Sequence, residues 1–235
     1  MSNATVLNNV DHKNIKVDTR PESNINVNRS LVYATEIAEL HKEFPLVFFK
    51  HPDGKIQLHA ILGLEKDENL FIGENGWTSR FVPALLARGP FSLGYKKPEN
   101  AEDTESQQQD PVICIDMKDP RVNTEHGEDV FLQFGGEAPY LNYVKNALQA
   151  IDSGIKFDKT LFTFIDSMDL LEPVSINIKL SNVEEINFSD YYTVNQEKLT
   201  KLDGASLAEL SQYGVLSLLY FILSSMGNFK TLMEL

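Results

Sequence analysis

A chain of 235 residues with 42% hydrophobic content is long enough to bury a real core as one large domain or two small ones, and one domain is the expectation. Its 34 acidic against 21 basic residues give a formal net charge of −13. That charge repels phosphate backbones and anionic lipid and leaves no basic stripe, so nucleic acid is excluded as a partner.

The single cysteine, Cys114, has no internal disulfide partner, and its apolar setting (VICIDM) reads as a small core hydrophobe. The opening MSNATVLNNVDHKN has neither a basic start nor an apolar run, and VLSLLYFILSSM (215–226) falls short of the roughly 20 residues that cross a bilayer. A cytoplasmic protein without a transmembrane segment is expected, with signal-less export to the cell surface as the alternative.

Residues 1–30 are Asn-rich and predict a loosely ordered arm in which only HKNIKVD alternates as a short strand. Between Tyr33 and Phe44, Ile37, Leu40 and Phe44 recur at helical spacing, and Pro45 stops the pattern. PLVFFKHPDGKIQLHAILGL then places two apolar runs around Pro-Asp-Gly, the signature of a β-hairpin, and LVFF is β-prone enough to require a place inside a sheet. NLFIG adds a strand, after which Thr78 or Ser79 could cap a short helix carrying Leu85 and Leu86, with Pro83 near its start.

The segment 96–110 is polar, acidic and free of aromatic residues, a loop that cannot bury enough surface to offset its ordering entropy. PVICIDM and DVFLQF read as strands on either side of a turn at His126 and Gly127. Pro139 opens a helix with Leu141, Val144, Leu148 and Ile151 on one face and Gly154 just past its end. A second helix is predicted over 160–171, stopped by Pro173, and VSINIKL alternates as a strand with one wet face. Ser206 and Glu209 have capping-box spacing, and Gly214 precedes the apolar run 215–226. The pattern predicts an α+β fold: a single domain over 31–235, with a mainly antiparallel sheet flanked by helices near 138–152, 160–171 and 206–226.

No phosphate loop, dinucleotide glycine fingerprint, Gly-x-Ser-x-Gly elbow or paired-histidine zinc helix is present, which counts against the enzyme classes they mark. His51 and Asp53, with distant His126, have the composition of a ferrous-iron facial triad, yet the first two are also accounted for by the hairpin turn. His41 and His59 read as packing or solvent-facing residues. The carboxylates from Glu99 to Glu105 lack the spacing that wraps calcium. No cofactor is implied. In residues 69–91, Trp77 offers an aromatic plate, and Arg80 and Arg88 offer forked donors for a carboxylate or sugar acid; the competing reading is that Trp77 and Phe81 cover the hairpin while the arginines pair with acids.

These pieces together resemble the SapC family, named for a bacterial surface-layer protein. Its elements occur here in order over about residues 12–232: Phe44-Pro45-Leu46-Val47-Phe48, Gly63-Leu64, Asn69-Leu70-Phe71, Trp77, Phe81-Val82-Pro83-Ala84, Arg88 with Pro90-Phe91, Cys114-Ile115-Asp116, Leu170-Leu171-Glu172-Pro173, Tyr192-Thr193-Val194 with Lys198-Leu199, and Ser225-Met226-Gly227-Asn228. Two departures stand out. Ala87-Arg88-Gly89 keeps a single arginine where the family often has two, and Phe221-Ile222 stand where the last helix often carries Ala-His.

The resemblance implies a surface-layer, cell-envelope or nutrient-uptake association, and it extends the ligand-binding candidates to Asn69, Trp77, Arg80, Arg88 and Tyr192. The expected function is a non-enzymatic binding or accessory protein with a protein or small peptide-like partner. An enzyme acting on peptide or amino-acid derivatives near Trp77, Arg80 and Arg88, or a self-assembling surface-layer subunit, are the alternatives.

Overall fold

The computed structural model describes residues 4–20, 27–51, 53–74, 76–95, 111–174, 177–179, 185–187 and 191–235. In chain order the strands are β1 (Ala4–Val6), β2 (Lys16–Val17), β3 (Arg29–Leu31), β4 (Leu46–Lys50), β5 (Ile56–Ile61), β6 (Ile72–Gly73), β7 (Gly76–Trp77), β8 (Phe91–Tyr95), β9 (Pro111–Asp116), β10 (Val122–Asn123), β11 (Glu128–Asp129), β12 (Leu171–Pro173), β13 (Asn177–Lys179), β14 (Glu185–Asn187) and β15 (Tyr191–Val194). The helices are α1 (Ile37–Leu40), α2 (Ala84–Ala87), α3 (Pro139–Ser167), α4 (Gln196–Thr200), α5 (Gly204–Gln212), α6 (Val215–Ser225) and α7 (Asn228–Glu234). Among the described residues every strand pairing is antiparallel, which makes this an α+β protein. Where the sequence suggests one domain, the chain divides into two units, Met1–Asn24 with Ala87–Gln149, and Ile25–Leu86 with Ala150–Leu235.

The first unit holds two three-stranded sheets, ordered β1-β9-β8 and β10-β2-β11. Its core is Ile15, Val17, Phe91, Ile115, Val130 and the inner face of early α3 at Leu141, Val144 and Leu148. Among the described residues of the N-terminal arm, β1 pairs with β9, and Ile15 and Val17 are buried. Gly127, at φ +103°, sits where a Cβ would lie 2.2 Å from the Val17 carbonyl oxygen, so β2 and its neighbouring turn need a residue with no side chain there. Cys114 is half-buried rather than fully inside. DVFLQF contributes only β11 and a bridge from Phe131 to Glu137; the tip between them leaves Phe134 96% exposed.

The second unit is built on a five-stranded sheet ordered β12-β15-β4-β5-β3, with the predicted β4–β5 hairpin in the middle. Alternation puts Leu46, Phe48, Leu58, Ala60 and Val194 on one face, all buried. Helices cover that face. Phe48 meets Phe162 of α3 edge-on, and the buried Ser225 hydroxyl of α6 accepts the Leu46 N–H at 2.9 Å. Six buried hydrophobic side chains from Val215 to Leu232 face this core, although the segment Val215–Glu234 is long and apolar enough to cross a membrane by length and composition.

Several local predictions are corrected. The two helices expected around Gly154 are one helix, α3, and Gly154 lies inside it. The reason is proximity: a Cβ at 154 would stand 2.4 Å from Tyr33 Cβ, so the glycine admits a neighbouring segment rather than ending a helix. Leu171–Pro173 is an edge strand, compatible with proline because its outer side is unpaired. The segment 33–44 is a 3-10 turn (Ala34–Glu36) followed by the single-turn α1. Asp203, three residues before Ser206, caps α5 by accepting the Ser206 N–H at 2.8 Å. Neither Thr78 nor Ser79 caps α2; its first amide, Ala84 N–H, donates to the Glu36 carboxylate at 2.6 Å. The acidic loop 96–110, including the carboxylates 99–105, and parts of VSINIKL lie outside the described residues.

Candidate functional site

Residues 69–91 are mostly engaged in architecture. Trp77 ends the short β6–β7 hairpin, half-buried, its ring stacked 6.0 Å from Phe71 and tilted 6.2 Å from Phe44. Its indole N–H donates to the Phe81 carbonyl at 2.8 Å, which ties the strand to the loop beyond. The Asn69 side-chain oxygen accepts the Phe71 N–H at 3.1 Å, while its buried Nδ2 finds no partner. Glu43 organises the next turn by accepting the Ser79 hydroxyl and the Arg80 N–H, with the exposed Arg80 guanidinium 3.8 Å away. Arg88 belongs to the first unit, where its guanidinium donates to the Phe91 carbonyl. The arginines and Trp77 therefore each have a described contact close to their own segment.

The iron candidates are also held locally. His51 Nε2 lies 2.6 Å from the Gln57 side-chain oxygen, and Asp53 accepts the Lys55 N–H at 3.1 Å. His126 Nε2 lies 3.2 Å from Asp18, whose carboxylate is gripped by Arg20 and held far below the usual range. Among the described residues no three His, Cys, Asp or Glu side chains group so as to hold a metal. His41 stacks on Phe221, with ring centroids 4.2 Å apart.

The opposite face of the five-stranded sheet, where Val47 and Ile61 are buried, collects polar groups that sequence reading did not single out. Register places Tyr191, Phe49 and Gln57 in one row across β15, β4 and β5. Arg29, on the edge strand β3, reaches over the two strands between to donate to the Tyr191 hydroxyl at 2.7 Å, its guanidinium 4.5 Å from the Phe49 ring centroid. His59, 8% exposed, lies beneath with Nε2 3.4 Å from Gln57 and Nδ1 unpartnered. Burial first, then the Arg29 and His51 charges, push its pKa down to about 4, so it is neutral near pH 7. Thr193, on the same face as Tyr191, also has an unpartnered buried hydroxyl. Arginine on a strand end and histidine on a buried face carry no spacing signal of their own; only the register unites them.

Two carboxylates sit at the join of the 3-10 turn with α3. Glu36 accepts the Tyr33 and Ala84 N–H groups, and Asp158 accepts the Ala34 N–H at 2.8 Å. Burial raises both, Asp158 to about 6.

At the hairpin end of the helix-covered face, Lys50, Ile56 and Tyr192 emerge beyond the last turn of α3. With Ile165, Asp166, Asp169 and Leu171 they line a cleft of about 190 Å³. Tyr192, a candidate from the sequence, is thus brought into a concave site, whereas Lys50 and Asp166 gave no motif signal. Asp169, at φ +49°, turns the chain from α3 into β12 and pairs with Lys198. Among the described residues neither Lys50 nor Asp166 has an ion-pair partner.

The chain is thus an antiparallel α+β protein with a small charged cleft at a sheet end and polar side chains bonded to one another on the opposite face. The family model SapC matches residues 7–232, nearly the whole chain, and the chain belongs to the SapC family. No curated protein and no solved structure matches it.

Proposed function

We propose that this SapC-family chain is a non-enzymatic binding or accessory protein, and that it takes a protein or small peptide-like ligand on its five-stranded sheet. The observation that carries the reading is the cleft at Lys50, Asp166 and Tyr192. Lysines elsewhere, such as Lys16, Lys145 and Lys156, hold carboxylates, whereas Lys50 and Asp166 share one concavity with their charges uncommitted. Charges of both signs left open beside an aromatic ring supply recognition groups for a polar ligand. The histidines of the opposite face are engaged with Gln57 and Arg29's aromatic neighbours, which supports a structural part for them.

The test is isothermal titration of the full chain with a panel of amino acids and short peptides, followed by mass spectrometry of each compound after incubation. Binding with the compound recovered unchanged supports the reading. Conversion to a product overturns its non-enzymatic half, and a panel with no binder overturns the ligand half. The proposed compartment is the cytoplasm, with signal-less export to the cell surface as the alternative that fractionation of the native cell would establish.

A further inference from the structure

The charges around the cleft have both signs within a small space. Lys50 ends β4 on the side of the sheet facing α3, and Asp166 lies in the last turn of α3. Asp169 adds a second carboxylate, shared with Lys198. Tyr192, Ile56, Ile165 and Leu171 supply an aromatic and aliphatic floor. The volume, about 190 Å³, is below the roughly 300–1,000 Å³ of pockets that enclose drug-sized ligands. A simple organic anion drawn to Lys50 would meet repulsion from Asp166 and Asp169, and a simple cation drawn to the aspartates would meet Lys50. A molecule carrying one charge of each sign a few ångströms apart satisfies both ends at once.

We infer that the cleft binds the zwitterion of a free α-amino acid with an apolar side chain. The carboxylate meets the Lys50 ammonium, the α-ammonium meets Asp166 with Asp169 beside it, and the side chain lies on Tyr192 and the aliphatic floor. The inference rests on the cleft being the ligand site proposed above and narrows its ligand to one chemical class.

The experiment is titration calorimetry of the full chain with the twenty amino acids, with N-acetyl-leucine and leucinamide as probes that each remove one charge, and with an end-blocked tripeptide. An apolar amino acid such as leucine is expected to bind, and each blocked analogue to bind about tenfold more weakly or not at all. Lys50→Gln should weaken leucine about tenfold without weakening leucinamide, which loses a repulsion, and Asp166→Asn should weaken leucine without weakening N-acetyl-leucine, for the same reason. Both residues are exposed, so the variants should keep the wild-type circular dichroism. Equal binding of leucine and its blocked analogues by the wild-type chain overturns the inference without reference to any variant. If the blocked tripeptide binds and no free amino acid does, the inference falls and the binding reading stands; if nothing binds, both fall.

Discussion

Replacing Gly154 with alanine tests whether α3 is one continuous helix packed against the segment at Tyr33. By helix propensity alone the change should stabilise, by about 1 kcal/mol, since glycine is the poorer helix former. The structure opposes it. The new Cβ would stand 2.4 Å from Tyr33 Cβ, 2.9 Å from Thr35 Oγ1 and 3.0 Å from Tyr33 Cγ, where carbon atoms normally rest about 3.5–4.0 Å apart. Tyr33 would have to withdraw by about 1 Å to reach that separation. Its segment is tied to α3 by the Thr35 hydroxyl donating to the Ala150 carbonyl at 2.9 Å and the Ala34 N–H donating to Asp158 at 2.8 Å. Overpacking costs about 1–3 kcal/mol, and weakening those two bonds adds about 1–3 kcal/mol. After the propensity gain the net loss should be about 1–5 kcal/mol, read as a lower urea midpoint by far-UV circular dichroism.

Two further variants sharpen the test. Gly204→Ala, at the start of α5 with nothing within 4 Å of the new Cβ, should be neutral or gain a few tenths of a kcal/mol. Gly154→Asn distinguishes a packed interior glycine from a helix-ending one, because asparagine is accepted at a left-handed cap. It should be at least as damaging as alanine. A Gly154→Ala protein as stable as the parent, or an asparagine variant milder than alanine, would refute the close-packing account.

Three other outcomes are expected. His59 holds its proton less tightly folded than unfolded, so its contribution is intact above about pH 6.5 and is lost as pH falls toward about 4. His59→Gln should flatten that acid slope by about 2–3 kcal/mol in urea titrations between pH 7 and pH 4. Asp158 has the opposite sign: its folded pKa is raised to about 6, so stability present below about pH 4 is lost as pH rises through 6. Asp158→Asn, which keeps an acceptor for Ala34 N–H, should gain about 1 kcal/mol at pH 7.5, after allowance for solvent screening of a partly exposed group, and nothing near pH 4; a gain independent of pH would contradict burial as the cause. Ser225→Ala strands the buried Leu46 N–H and should cost about 1–3 kcal/mol in chemical denaturation, whereas a neutral result would show that another acceptor replaces the hydroxyl.

Short-range chemistry made much of the scaffold legible. The β4–β5 hairpin follows from two apolar runs around Asp53 and Gly54, with Gly54 at φ +86°, and the face of α3 follows from Leu141, Val144 and Leu148 at helical spacing. Long-range pairing escaped the same reading. Nothing local in ATV says that residues 4–6 will pair with 114–116, and a glycine that admits Tyr33 looks in sequence like one that ends a helix. Leu171–Pro173 reads as a helix stop until β15 is seen beside it. Of the site, Tyr192 was marked by a motif. Lys50 and Asp166 were not, because two oppositely charged residues more than a hundred positions apart leave no pattern until a sheet and a helix bring them to one rim.

The strand order also sets a timetable for synthesis. β4, carrying LVFF, lies between β5 and β15, and β15 follows it by about 140 residues, so at about 5–20 residues per second the ribosome needs roughly seven to thirty seconds to deliver that second neighbour. Throughout that interval the nascent polypeptide displays one open border of a sticky strand to the cell. A chaperone that shields hydrophobic chain during translation should therefore raise the yield of this protein most strongly between emergence of residue 61 and residue 194.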